Sequence, residues 1–187
     1  MADARSLPIP AEHRELVVKV EGQVVPREHQ LLAASVSLVM NRIGSARLVY
    51  VDGAAASSDF PLSGQELFLP GKRIEVQAGA GNSFELLFAG EVVRHSLKVR
   101  ANTAPQLIVE CRHAAMRLQG ARSRASFFDQ TDSEVLEALL KQANVPSDVT
   151  KTSHKHEQLV QFQASSWDFL LARARASGVP ATRRKGR

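Results

Sequence analysis

Cysteine, tryptophan and tyrosine each occur once in this 187-residue chain, and aromatic residues make up only 5% of it. A lone cysteine, Cys111, excludes an internal disulfide framework and a cysteine-rich zinc module, and it fits a chain made in a reducing compartment. No apolar run approaches the roughly 18–20 residues that a membrane-spanning helix needs. Met1-Ala2-Asp3-Ala4-Arg5 carries an acid with no apolar stretch behind it, unlike a secretory signal. A broad charge imbalance is missing as well. The net charge is +5, but Arg183-Arg184-Lys185-Gly186-Arg187 supplies four of the positive charges, and without them the sum is +1. The pI near 9.8 therefore describes a tail. A solvated, disordered end is the simpler reading of that tail than a nucleic-acid patch.

What remains is an ordinary soluble composition, 44% hydrophobic and 23% charged, of a length that fits one domain or two small ones. The character of the chain changes near residue 112. Before it come short apolar-polar alternations separated by turn signals. Glu15–Glu21 is rich in β-branched residues, and Glu21-Gly22-Gln23 reads as a turn. Leu32, Ala34, Val36, Leu38 and Met40 fall on one face of a second run, which Asn41-Arg42-Ile43-Gly44 breaks. Ala46–Val51 ends at the turn dipeptide Asp52-Gly53, and a loop is expected over residues 53–64.

After the turn Leu69-Pro70-Gly71-Lys72, Arg73–Gln77 alternates with period two. Gly79-Ala80-Gly81-Asn82 then leads into Phe84–Val93, where Gly90 predicts a bulge or bend. Leu97–Arg100 and Leu107–Cys111, joined by Ala101–Pro105, complete about seven strands. The pattern points to an antiparallel barrel or sandwich, with no βαβ alternation.

The second part is helical in character. Thr131-Asp132-Ser133-Glu134 has the spacing of a capping box, and Val135, Leu136, Leu139, Leu140 and Ala143 line one helical face. Asn144 and Pro146 end it. Ser165 and Asp168 repeat the capping spacing ahead of a stripe of Trp167, Leu170, Leu171 and Ala174, which Ser177-Gly178 closes. Leu159–Gln163 alternates like a short strand between the two helices.

Few residues suggest chemistry. His154 and His156 would share a face on a strand and could grip a metal, but no third ligand has a characteristic spacing, so a polar loop or edge strand is the better reading. Cys111 and His113 have the residue types of a nucleophile pair. Nothing nearby supplies an oxyanion hole or an orienting group, and a cysteine in an apolar strand is usually a small buried hydrophobe. Gly79-Ala80-Gly81 lacks the Lys-Ser/Thr and the helix of a phosphate loop. Arg112, Arg117, Arg122 and Arg124 form a local basic patch, with Arg117 and Arg124 placed along one side of a short helix; a solvated face outweighs an anion site. Trp167 belongs to a helical core stripe. No catalytic, cofactor-binding or metal residue is assigned, and a small hydrolase using Cys111 or His154/His156 ranks last among the functions.

Taken in order, several segments resemble a known family. They are Leu16–Gly22; Asn41, Ile43, Ala46 and Val51-Asp52-Gly53; Phe68–Val76; Leu87–Val92; Leu107–Cys111; Phe127–Glu134; and Leu159–Phe162 closing on Ser166–Ala174, the most specific stretch being Gln161 through Arg173. Together they are similar to the N-terminal hub region of VgrG proteins of type VI secretion systems, and to hubs of phage-like contractile injection particles and myophage baseplates. The resemblance covers roughly residues 14–178. It implies an α+β chain: an antiparallel β-barrel that docks on tail-tube rings (12–112), then a partial α+β hub domain with two helices (113–178); from Val179 the sequence departs from the family pattern, and a basic disordered tail (179–187) is expected there. It further implies trimers, Hcp-like tube rings and baseplate proteins as partners, no cofactor and no catalysis. Assembly in the bacterial cytoplasm and ejection with the spike follow from it too. Family members continue past the position of Gly178 into further domains, so a truncated hub component is expected. The alternative is a repurposed non-catalytic binding module or adaptor with a basic tail.

Overall fold

The computed structural model of the chain describes residues 15–53, 59–81 and 83–181. The expected tail charges at 183–187 and the N-terminal residues before Glu15 lie outside them.

Among the described residues nine strands and two helices follow in order: β1 Glu15–Val20, β2 Gln23–Val24, β3 Leu31–Ser37, β4 Ser45–Val51, β5 Arg73–Ala80, β6 Ser83–Arg100, β7 Thr103–Arg112, β8 Ser123–Thr131, α1 Asp132–Gln142, β9 Lys155–Ala164 and α2 Ser166–Ala176. Short 3-10 turns occupy Glu66–Phe68 and Ala114–Gln119. The class is α+β, as expected. The first seven strands form one antiparallel sheet in the order β2-β1-β5-β6-β7-β4-β3, and β8 pairs with β9 in a separate two-stranded sheet.

The sheet is open, which corrects the expectation of a closed barrel. After the turn at Glu21 and Gly22, both at positive φ, the chain doubles back along β1. Val25 N–H donates to the Val18 carbonyl at 2.8 Å, and Arg27 pairs with Glu15 at 2.7 Å. The outer edge of β1 is thereby covered by its own hairpin and is not left for β3 to pair with. The order ends at β3, whose far edge pairs with no strand among the described residues.

β6 corrects a strand boundary, while the first sheet keeps the expected seven strands. The runs 84–93 and 97–100 are one strand of 18 residues, joined to β7 by the two-residue turn Ala101-Asn102, with Asn102 at φ 60°. Two bulges relieve its length: Leu87 is the extra residue opposite Val76/Gln77, and Val93 is extra beside Cys111/Glu110. Of the bulge or bend expected at Gly90, the bulge is not there: Gly90 is in regular register opposite Ile74. It is glycine because a Cβ there would collide with the Arg112 carbonyl and the Phe88 ring. β3 is also shorter than its apolar run. A bulge between Leu31 and Ala33 shifts the register, so Ala34 and Val36 stay half-buried while Leu32 is exposed, and Leu38 and Met40 lie beyond the strand.

Two apolar clusters are buried among the described residues. One gathers Val18, Val20, Leu48, Tyr50, Ile74, Val76, Phe88, Val92, Leu107, Val109 and Cys111 from five strands, with Leu62 and Phe68 from the β4–β5 connection. Asp52 ties that connection down. Its two carboxylate oxygens accept from Leu62 N–H and Ser63 N–H, each at 2.8 Å, which satisfies a charge that is almost wholly buried. The second cluster joins Ala115 and Leu118 to Val135, Leu136 and Leu139 of α1, Leu159 of β9, and Trp167, Phe169 and Leu170 of α2.

Candidate assembly surfaces

The sequence-predicted site residues do not converge. Cys111 is 1% exposed in the first cluster. Burial, and after it the neighbouring Glu110 charge, pushes its thiol up to about 12, the opposite of an activated thiolate. His113 leaves the strand and caps the turn that follows, accepting from Ala115 N–H at 3.2 Å. Of the Gly79–Gly81 run, Gly79 and Ala80 end β5 and Gly81 begins the turn to β6; Gly79 lies so close to Ser83 that a Cβ would strike its carbonyl. Trp167 is a core residue.

Arg117 and Arg124 do not share a helix. Arg117 sits in the 3-10 turn, ion-paired with Glu91 and donating to the Ala143 carbonyl. Arg124 is on β8, with its guanidinium 4.8 Å from the centre of the Phe162 ring. Among the described residues no group of three His, Cys, Asp or Glu could hold a metal ion. No helix among them is long and apolar enough to cross a membrane.

His154 precedes β9 and is exposed. His156 turns inward, the two rings meeting edge-on with centroids 4.6 Å apart. What holds His156 went unseen in the sequence: a half-buried polar cluster at the start of α1. Asp132 Oδ1 accepts from Arg173 Nε at 2.6 Å; Oδ2 accepts from Arg173 Nη2 at 3.1 Å and from Ser177 Oγ at 2.6 Å. His156 Nε2 stands 3.3 Å from the same Oδ2. Burial alone would raise the Asp132 carboxyl. The hydrogen bonds from Arg173, Ser177 and His156, with the Arg173 charge, outweigh it and hold the group at about 2. The cluster sits where it does because Thr131 and Glu134 close a full capping box that starts α1 at Asp132. It then links α1, β9 and α2.

What the molecule presents outward is surface suited to other chains. β8 and β9 pair with Arg124 opposite Phe162, Ser126 opposite Val160 and Phe128 opposite Gln158. Alternation puts Phe127 and Leu159 against the helices and leaves Phe128 (59% exposed), Val160 (51%) and Phe162 (65%) on the outer face. Phe127 in turn stacks on Phe169 of α2 at 5.9 Å. The second surface is the open edge of β3. From Leu31 to Asn41 the chain carries no charged residue. Leu38, Val39 and Met40 are exposed beside it. Sheet edges are ordinarily guarded by charge or proline; here the bulge at Leu31/Ala33 is the only guard on the strand.

A family model described as the Alg8 N-terminal domain matches residues 11–187. The chain belongs to the Alg8 N-terminal domain family. No curated protein matches it. Among solved structures it is similar to the 43 kDa tail protein of prophage MuSo2 from Shewanella oneidensis, at 15% identity and a TM-score of 0.63, over 88% of this chain and 49% of that one. It is similar to a tail protein from Neisseria meningitidis MC58, at 13% identity and 0.60, over 88% and 46%. It is also similar to an Escherichia coli component of the type VI secretion system, described as resembling the T4 bacteriophage tail proteins gp27 and gp5, at 12% identity and 0.56, over 82% and 41%. The chain thus spans half or less of each of these structures. At such identities the likeness establishes a phage-tail-type fold.

Proposed function

We propose that this chain is a non-catalytic structural subunit of a bacterial contractile injection machine, part of the hub that joins spike to tail tube, as in VgrG-type proteins. The observation that carries this reading is the fold. The open antiparallel sheet followed by the β8–α1–β9–α2 unit is matched over more than four-fifths of the chain by phage tail proteins and a type VI secretion component. The surfaces agree with it. An uncharged sheet edge and an apolar strand face suit protein–protein contact.

In this reading residues 12–112 dock on tube rings and 113–178 form part of the hub. The subunit assembles as a trimer in the cytoplasm and leaves with the spike. The test is co-expression with a tube-ring protein of a contractile injection system, followed by affinity capture and light scattering. Co-elution with the ring protein as a complex of defined mass is expected. A chain that stays monomeric and fails to retain the ring protein would overturn the assignment.

A further inference from the structure

Oδ2 of Asp132 is a crowded acceptor. Ser177 Oγ donates to it at 2.6 Å and Arg173 Nη2 at 3.1 Å, and His156 Nε2 lies 3.3 Å away. The same Nε2 lies 3.2 Å from Arg173 Nη2. One ring nitrogen cannot serve both neighbours in a single protonation state. Without a proton, Nε2 offers a lone pair and accepts from Arg173. With a proton it only donates, and the acceptor in reach is Asp132.

The groups around the imidazole leave these two choices. α1 supplies Asp132, α2 supplies Arg173 and Ser177, and His154 meets the ring edge-on. Uncharged Gln130 of β8 stands opposite His156 in the register. Lys155 and Glu157 of β9, Asp129 of β8 and Arg175 of α2 are exposed, and Glu134 is engaged in the α1 cap.

We propose that His156 is a proton-operated selector: binding a proton at Nε2 moves it from Arg173 to Asp132 and loosens the last turn of α2. The protonated ring and the guanidinium become two cations in contact, and both compete for Oδ2 with Ser177. Arg173 retains its Nε bond to Oδ1 and gives up the second one. The effect is local but well placed. Ser177 and Gly178 lead directly into Val179–Ala181, which fastens this part of the chain to the β3–β4 connection through Asn41.

Two measurements test the proposal, and neither depends on the assembly function. Nitrogen-15 spectroscopy of the unmodified chain at pH 8 should show the neutral His156 ring with its proton on Nδ1 and Nε2 bare. A neutral ring protonated on Nε2 would overturn the proposal. Hydrogen exchange of the Ser177 and Gly178 amides, corrected for the intrinsic rate, should lose about fivefold protection between pH 8 and pH 5. In His156→Gln, whose amide oxygen still accepts from Arg173, that loss should vanish. Equal loss in both chains would also overturn it. The spectroscopic result stands alone if the variant folds poorly.

Discussion

Asn41 and Ala181, 140 positions apart, exchange two hydrogen bonds: Asn41 N–H donates to the Ala181 carbonyl at 2.9 Å, and Ala181 N–H donates to the Asn41 side-chain oxygen at 3.1 Å. Residues 179–181, grouped with the tail in the sequence reading, are thus fastened to the β3–β4 connection. Asn41 also sits at φ 59°, a conformation asparagine tolerates and β-branched residues resist. Asn41→Val should therefore cost about 2 kcal/mol in urea unfolding, from strain plus a lost hydrogen bond. Asn41→Gly should cost less, since glycine removes the bond without the strain.

Asp132→Ala strands Arg173 and Ser177 and removes the ion pair that joins the two helices. About 2–3 kcal/mol of stability should be lost. The pH dependence has a defined sign. The folded carboxyl is depressed from 3.8 to about 2, so its contribution is complete above pH 4 and disappears as the pH falls through 2. Acid unfolding of Asp132→Asn, followed by circular dichroism, should be flatter between pH 4 and pH 2 than that of the parent chain.

Gly90→Ala places a methyl group against the Arg112 carbonyl and the Phe88 ring. The backbone of β6 and β7 must spread to admit it, at a cost of about 2–3 kcal/mol. Gly71→Ala is the control for steric crowding, because nothing lies within 4 Å of its added Cβ. Only the φ of +96° is strained there, so its cost should be the smaller in calorimetry.

The Cys111 thiol should be inert. A disulfide reagent at pH 8 should label it only at the rate of global unfolding, and denaturant should restore full reactivity. Rapid labelling of the folded chain would show that the first cluster opens locally.

Phe128→Ser with Phe162→Ser removes exposed apolar area without touching either core. The melting temperature should stay within a degree or two, since surface changes of this kind stay near 0.5 kcal/mol. Binding of a hydrophobic dye and retention of an assembly partner should both fall. A large loss of stability would show that the outer face of β8–β9 is structural.

Much of this architecture could be read from residue order. β1, β4 and β5 alternate cleanly, and both helices announce themselves through hydroxyl and carboxylate caps at Thr131/Glu134 and Ser165/Asp168. β8 was invisible as a strand because Phe128 points outward and Asp129 takes φ 52°; both blur period two. The faint signal was Ala125 and Phe127 alternating with Arg124 and Ser126. Continuity of β6 was masked by Arg94-His95-Ser96, polar residues that look like a break but sit in register with β7. The Asp132–Arg173 pair joins positions 41 apart, and no local periodicity carries such a relation. Open versus closed sheet geometry was likewise not local. It turns on Val25 and Arg27 folding back over β1.

The 18-residue β6 also bears on how the molecule acquires its shape. β5, β6 and β7 are consecutive in the chain and joined by two tight turns, so they can zip together with little loop-closure entropy. β1 and β4 must find β5 and β7 across more than fifty residues. The three-strand meander is therefore the expected kinetic nucleus. Substitutions at the Ala101-Asn102 turn should slow refolding, and substitutions in β3 should mainly hasten unfolding.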